Sequence, residues 1–307
     1  MIVDNCSQDM HRVLSEILRH GNRSVSLLTV EYDVREDLPE GTEVISMEPN
    51  SEALIEALIL RKYAHISHVN ASKIAAFSGG NARLAIALAA SIGTHENISS
   101  LQDDVLFERL FYQRHEKSDE IKKAGEVLSL VYSFQYEESG QYSRELNSLG
   151  KVSGISVQKL YEFSKELCRR DLAQKRDVWM AILPPPVANR LASLALENIP
   201  VGRLLSIINP DKSRRLFLSF TRRLGYLSHS KEAIKCARNL LSINGFYEQL
   251  LLKYQNEPDK GYDLIFSCVA NVAPVAPRET LNFIERLGNS DLGKVRISRS
   301  FLPKLTR

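Results

Sequence analysis

Two consecutive glycines stand between two alanine-rich runs in Phe77-Ser78-Gly79-Gly80-Asn81-Ala82-Arg83-Leu84-Ala85-Ile86-Ala87-Leu88, and this stretch constrains the chain most. Helical patterning runs over about 70–78 before the pair and about 82–92 after it. Glycine adopts positive φ without steric cost, so the pair can end one helix while Asn81 caps the next. The same geometry lets a ligand come close to the backbone, beside the unpaired N–H groups that open a new helix. Both readings require two helices meeting at a tight corner.

At 307 residues the chain is long enough for two or three domains. Its 44% hydrophobic and 25% charged residues are ordinary for a globular protein. A net charge of +3 gives no whole-chain argument for nucleic acid, so any basic footprint must be local. Cys6, Cys168, Cys236 and Cys268 lie far apart, with no C-x-x-C pair, which fits reduced buried thiols better than a metal site or a disulfide framework. His65-x-x-His68 has no Cys or acid at metal spacing, so no zinc site is expected. Ile2-Val3-Asp4 after Met1 is unlike the basic start of a signal peptide. The longest apolar runs, such as Leu84–Ile92, fall short of the ~20 residues that span a bilayer. A cytoplasmic protein with no membrane contact is expected.

Three zones follow along the chain. In the first, the apolar Ile2-Val3 ends in Asp4, and a helix over Asp9–Arg19 carries Met10, Val13, Leu14, Ile17 and Leu18 on one face. Val25–Val30 is a short apolar run, giving the strand–helix–strand rhythm of a parallel sheet. Val44-Ile45-Ser46-Met47 is a second such run. It leads through Pro49-Asn50-Ser51-Glu52 into a helix that Asn50 or Ser51 can cap. In the second zone, Ile121, Ala124, Val127, Leu128, Val131 and Phe134 form a helical stripe. A helix over 143–149 and another from Ser156 to Arg170 come next, then extended Val178–Leu183 before Pro184-Pro185-Pro186. Three helices and a terminal ribbon are the order of a winged helix, and Trp179 is expected to anchor the ribbon in the core. The third zone reads as helices only, over 187–197, 201–208, 211–225, 229–243, 246–254, 260–271 and 277–287, as in a solenoid or bundle.

Asp4, the Ser24–Val30 strand, the Pro49–Glu52 helix start and the Gly79-Gly80 turn, in that order, resemble the later half of a STAND-type ATPase, a signalling relative of the AAA+ proteins. The resemblance implies a mostly α chain with four parts. These are a partial α/β nucleotide-binding core (1–48), a helical lid (49–97), a winged-helix-like domain (98–190) and a helical repeat or bundle region (191–307). It implies that Asp4 holds Mg through water, that Asn5 takes the place of a second acid, and that Thr29 faces the γ-phosphate. Gly79, Gly80, Asn81 and Arg83 would form the lid contact with ATP or ADP, Arg83 on the phosphate. Asn5 cannot act as a base. Glu31 and Tyr32 stand where the family often has a sensor Arg, with Arg35 nearby as a substitute. The one near-match to a phosphate loop, Gly288-Asn289-Ser290-Asp291-Leu292-Gly293-Lys294-Val295, lacks the final hydroxyl and follows a helix. A fragment or degenerate relative is therefore expected, not hydrolysing ATP alone and binding nucleotide and Mg only where a phosphate loop is supplied. It would signal as a homo-oligomer or with a parent ATPase half, and take a protein partner on its helical region, as in bacterial defence.

Other classes stay open. Lys159, Arg169, Lys175 and Arg176 on the last helix and ribbon of the second zone could contact DNA, diluted by Glu162, Glu166, Asp171 and Asp177. Cations at a helix end also suit its dipole without any ligand. Arg214, Arg215, Arg222 and Arg223 flank Leu216, Phe217, Leu218 and Phe220 and read as a solvated helix face or an acidic-partner patch. A non-catalytic helical scaffold or adaptor is the third class.

Overall fold

The computed structural model describes residues 1–4, 6, 8–20, 25–30, 50–94, 96–112, 118–254 and 258–289. The protein is mostly helical, with small sheets. Contacts divide it into two compact units, Met1–Glu48 and Pro49–Phe301.

In the first unit, β1 (Ile2–Asp4) and β2 (Leu28–Val30) pair in parallel with Val3 opposite Thr29, joined through α1 (Gln8–His20). This is the strand–helix–strand order that the alternation predicts. The expected apolar face of α1 is not a buried one: Met10, Val13 and Ile17 are exposed, and Leu14 and Leu18 are half-buried. The predicted run at 44–47 lies outside the described residues.

The second unit opens with three short helices, α2 (Glu52–Lys62), α3 (His68–Ser78) and α4 (Ala82–Ala90), each started by a side-chain cap. Ser51, Ser67 and Asn81 accept from the amides of Leu54, Asn70 and Leu84. Such caps contribute about 1 kcal/mol each. The helices close over Ile55, Ile59, Ile74, Leu84 and Leu88, all buried. Buried Asn70 brackets the exit loop, donating to the Glu96 carbonyl at 2.6 Å and accepting from the Ile98 amide at 3.0 Å. The loop leads into α5 (Asp103–Tyr112).

The middle segment runs α6 (Asp119–Ser129), β3 (Phe134–Gln135), β4 (Glu137–Glu138), β5 (Gln141–Tyr142), α7 (Arg144–Ser153), α8 (Val157–Arg169), β6 (Ala173–Arg176) and β7 (Trp179–Ile182). Strands β3, β7 and β6 form an antiparallel sheet in that order, and β4–β5 is a separate hairpin. Ser156 caps α8, as its position before an apolar period predicts. Phe134 departs from expectation. The helix stops at Ser129 and Phe134 enters β3, opposite Met180, where it is wholly buried. Its spacing of three from Val131 fits the helical period, and pairing with β7 overrides that local signal.

The last segment is helical: α9 (Pro185–Asn198), α10 (Val201–Ile207), α11 (Arg214–Gly225), α12 (Lys231–Leu241), α13 (Phe246–Lys253), α14 (Pro258–Val272) and α15 (Pro277–Asn289). The proline run ends the extended stretch, β7 stopping at Ile182, and it also opens α9 at Pro185, because a first helical turn needs no amide donors. Helix α9 lies along α6, and α11 lies along α14. Gly225 makes the second contact possible, since a Cβ there would meet the Asn271 carbonyl oxygen at 2.2 Å. Among the described residues no helix is long and apolar enough to cross a membrane.

Candidate functional site

The glycine corner has the geometry that both sequence readings require. Gly79 (φ 53°) ends α3 in the left-handed region and Gly80 (φ 81°) follows it, before Asn81 caps α4. Asn50 steadies the turn from before α2, its backbone amide donating to the Gly80 carbonyl at 3.3 Å. A Cβ added at Gly79 would meet nothing within 4 Å, so the backbone here is open to an incoming group. Arg83 lies one turn further on. Its guanidinium donates to the Asp171 carbonyl at 3.1 Å and lies 3.8 Å from the Asp171 carboxylate. Asp171 sits with φ 56° between α8 and β6. Both side chains face water, Arg83 at 41% and Asp171 at 81% exposure. An ion pair so exposed contributes under about 1 kcal/mol. Arg83 is therefore held, but lightly.

The other expected nucleotide residues belong to the first unit. Asp4 ends β1 opposite Val30, at the carboxyl edge of a parallel pair, and is described through its backbone. Thr29 points its hydroxyl at His11, whose Nδ1 is 2.9 Å away. Asn5, Glu31, Tyr32 and Arg35 lie outside the described residues, as does the phosphate-loop near-match beyond Asn289. The glycine corner fits a phosphate: an open turn, the start of a helix and a cation on its first turn. Asp4, at a strand end, is of the residue type that would hold Mg through water.

The basic residues proposed for DNA are engaged within the protein. Lys159 pairs with Glu120 at 2.9 Å and Arg169 with Glu166 at 3.1 Å. Lys175 lies 4.7 Å above the ring of buried Tyr136, and the hydrogen bond with the Tyr136 hydroxyl pushes its pKa up. Arg176 ends β6. Hydrogen bonds, first from Arg170 and then from Arg169, hold the Glu166 carboxyl below its ordinary value.

Sequence reasoning missed the joint that fixes the middle segment to the last one. The Glu145 carboxylate, 7% exposed on α7, takes both Nε and Nη2 of Arg215 on α11 in a bidentate pair. It also accepts from the Gln135 amide at 2.7 Å and the Ser213 hydroxyl at 3.2 Å. Arg215 donates on to the Ser133 carbonyl and stacks 4.4 Å over Trp179. Trp179 is thus no core anchor: it is 38% exposed and serves as a platform for the guanidinium. Arg223, on the same helix, is 3% exposed and donates to the Asn189 amide oxygen at 2.6 Å, with no carboxylate among the described residues in ion-pair reach. Burial lowers its pKa to about 10. Arg222 lies 3.9 Å over the Tyr132 ring. The expected solvated arginine face is therefore an interface for Arg215 and Arg223, and Arg214 is its exposed member. No local pattern signals a carboxylate seventy residues away.

Compared with protein-family models, curated proteins and solved structures, the chain matches none.

Proposed function

We propose that this chain is the regulatory part of a nucleotide-dependent switch, and more narrowly a STAND/AAA+-type segment made of partial core, lid, winged-helix domain and helical array. The observation that carries this reading is the double position of Arg83. It opens α4 beside an open glycine turn, where a phosphate would bind, and it is also bonded to Asp171 at the foot of the β6–β7 hairpin. A phosphate at the turn would draw Arg83 from Asp171, so nucleotide occupancy and lid position would be linked by one side chain. The order helix–strand–helix–helix–hairpin, with sheet order β3-β7-β6, supports the winged-helix part of the reading. The glycine turn and Arg83 would contact the phosphates of ATP or ADP weakly on their own, at millimolar nucleotide, and firmly once a phosphate loop is supplied. The helical array would receive a protein partner or a second copy, in the cytoplasm.

Titration of the isotopically labelled chain with Mg-ATP tests this by amide NMR. Saturable shifts centred on Gly79, Gly80, Asn81 and Arg83, weakened in Arg83→Ala, are expected. Shifts absent from that turn at millimolar nucleotide would end the proposal. A second reading, DNA contact through α8 and the β6–β7 hairpin, is favoured by the same topology. It predicts salt-sensitive DNA binding that falls in Lys159→Ala and Arg176→Ala.

A further inference from the structure

A groove of about 200 Å³ opens where α6, α7 and the Pro200 end of α10 meet. Its walls are Val127, Val152 and Ile199, and its charged rim carries Lys123, Glu126 and Arg203. Glu126 is half-buried there and makes no hydrogen bond or ion pair among the described residues. Its carboxyl oxygens are still reached by water, so beside the apolar walls the group is held by no protein donor and is open to one from a ligand. Burial raises its pKa above 4.5, working against the nearby Lys122 and Lys123 and with Glu197. Arg203 commits one N–H, from Nη2 to the Lys151 carbonyl at 3.1 Å. A guanidinium carries five donors, so most of its fork remains for another acceptor.

The size sets the class of occupant. A cavity of ~150 Å³ takes a benzene-sized molecule, and drug-sized ligands need about 300 Å³ or more. A nucleotide is too large. A carboxyl with no protein donor, a guanidinium and an apolar wall in one small groove match an ammonium, a carboxylate and a short side chain.

We propose that this groove binds a free α-amino acid, with Glu126 receiving the ammonium group, Arg203 the carboxylate and Val127, Val152 and Ile199 the side chain. None of the groove residues belongs to the glycine turn, so the proposal stands whatever becomes of the nucleotide reading. The ligand would sit against α6 and α10, where the middle segment meets the helical array.

The test titrates the full chain with alanine, leucine and glutamine in turn, followed by amide NMR. It adds 3-methylbutylamine and 4-methylpentanoate, which each carry one of leucine's two charges. At least one amino acid is expected to give saturable shifts at Glu126, Val127, Ser153 and Gly202. Its binding should weaken roughly tenfold or more in Glu126→Gln and in Arg203→Met, and each single-charge probe should bind leucine's site roughly tenfold more weakly. Unchanged melting of Glu126→Gln would show that lost binding is not lost folding. No saturable shift with any of the three amino acids, binding that survives Glu126→Gln, or an amine that binds as well as leucine would overturn the proposal.

Discussion

The same chemical pair, guanidinium and carboxylate, joins the middle segment to both of its neighbours, and the two joints differ in their water. Glu145 meets Arg215 with the carboxylate 7% exposed, both its oxygens taken and an indole under the guanidinium. Arg83 meets Asp171 through a 3.1 Å bond to a carbonyl and a 3.8 Å approach to a carboxylate that is 81% exposed. The Glu145 carboxylate resists losing its partner because left alone it is a buried charge, although Arg215 itself is 36% exposed. A wet pair separates at little cost, since water replaces each partner. On this contrast the middle and last segments should hold together more firmly than the middle segment and the three helices α2, α3 and α4.

The strongest attempt to break this contrast is Glu145→Ala. It strands the Gln135 amide and the Ser213 hydroxyl and leaves Arg215 to water, and a loss of about 2 kcal/mol is expected in denaturant unfolding. A loss below about 1 kcal/mol would place the joint in the wet class. Arg223→Met sharpens the comparison from the other side. Arg223 is buried without a carboxylate, so replacing it with an apolar chain of similar length is expected to change stability by less than about 1 kcal/mol in the same unfolding experiment.

Acid should act on the loop between α4 and α5. Hydrogen bonds from Arg109 and from the Gly93 amide hold the Glu96 carboxyl below its ordinary 4.5. A depressed carboxyl contributes stability that is complete above the unfolded value and is lost as pH falls through the folded one. Protection of the Gly93 amide should thus hold at pH 6 and fall progressively below about pH 4.5, followed by NMR exchange. The smallest expected stability effect is that of Arg83→Ala, under about 1 kcal/mol and shrinking as salt is added.

Local chemistry made most elements legible. Asn81 and Ser156 cap the helices that their spacing indicates, and the prolines and glycines mark the loops. The glycine corner was readable for the same reason, because positive φ and capping are decided within five residues. Phe134, Trp179 and Arg215 were not readable. Phe134 is placed by β7, forty-six positions on at Met180, and Arg215 by Glu145, seventy positions back. The groove at Glu126 was equally hidden, since its walls come from α6, α7 and the turn into α10. Amphipathic periodicity also says which face of α1 is apolar without saying whether anything covers it.

The most direct test of the two-joint account is hydrogen–deuterium exchange by mass spectrometry on the intact chain and its Arg83→Ala variant. Faster exchange in α4 and in the turn at Asp171, with α7 and α11 unchanged, is the predicted result. Exchange rising in α7 and α11 in step with α4, or no change in α4 at all, would contradict it.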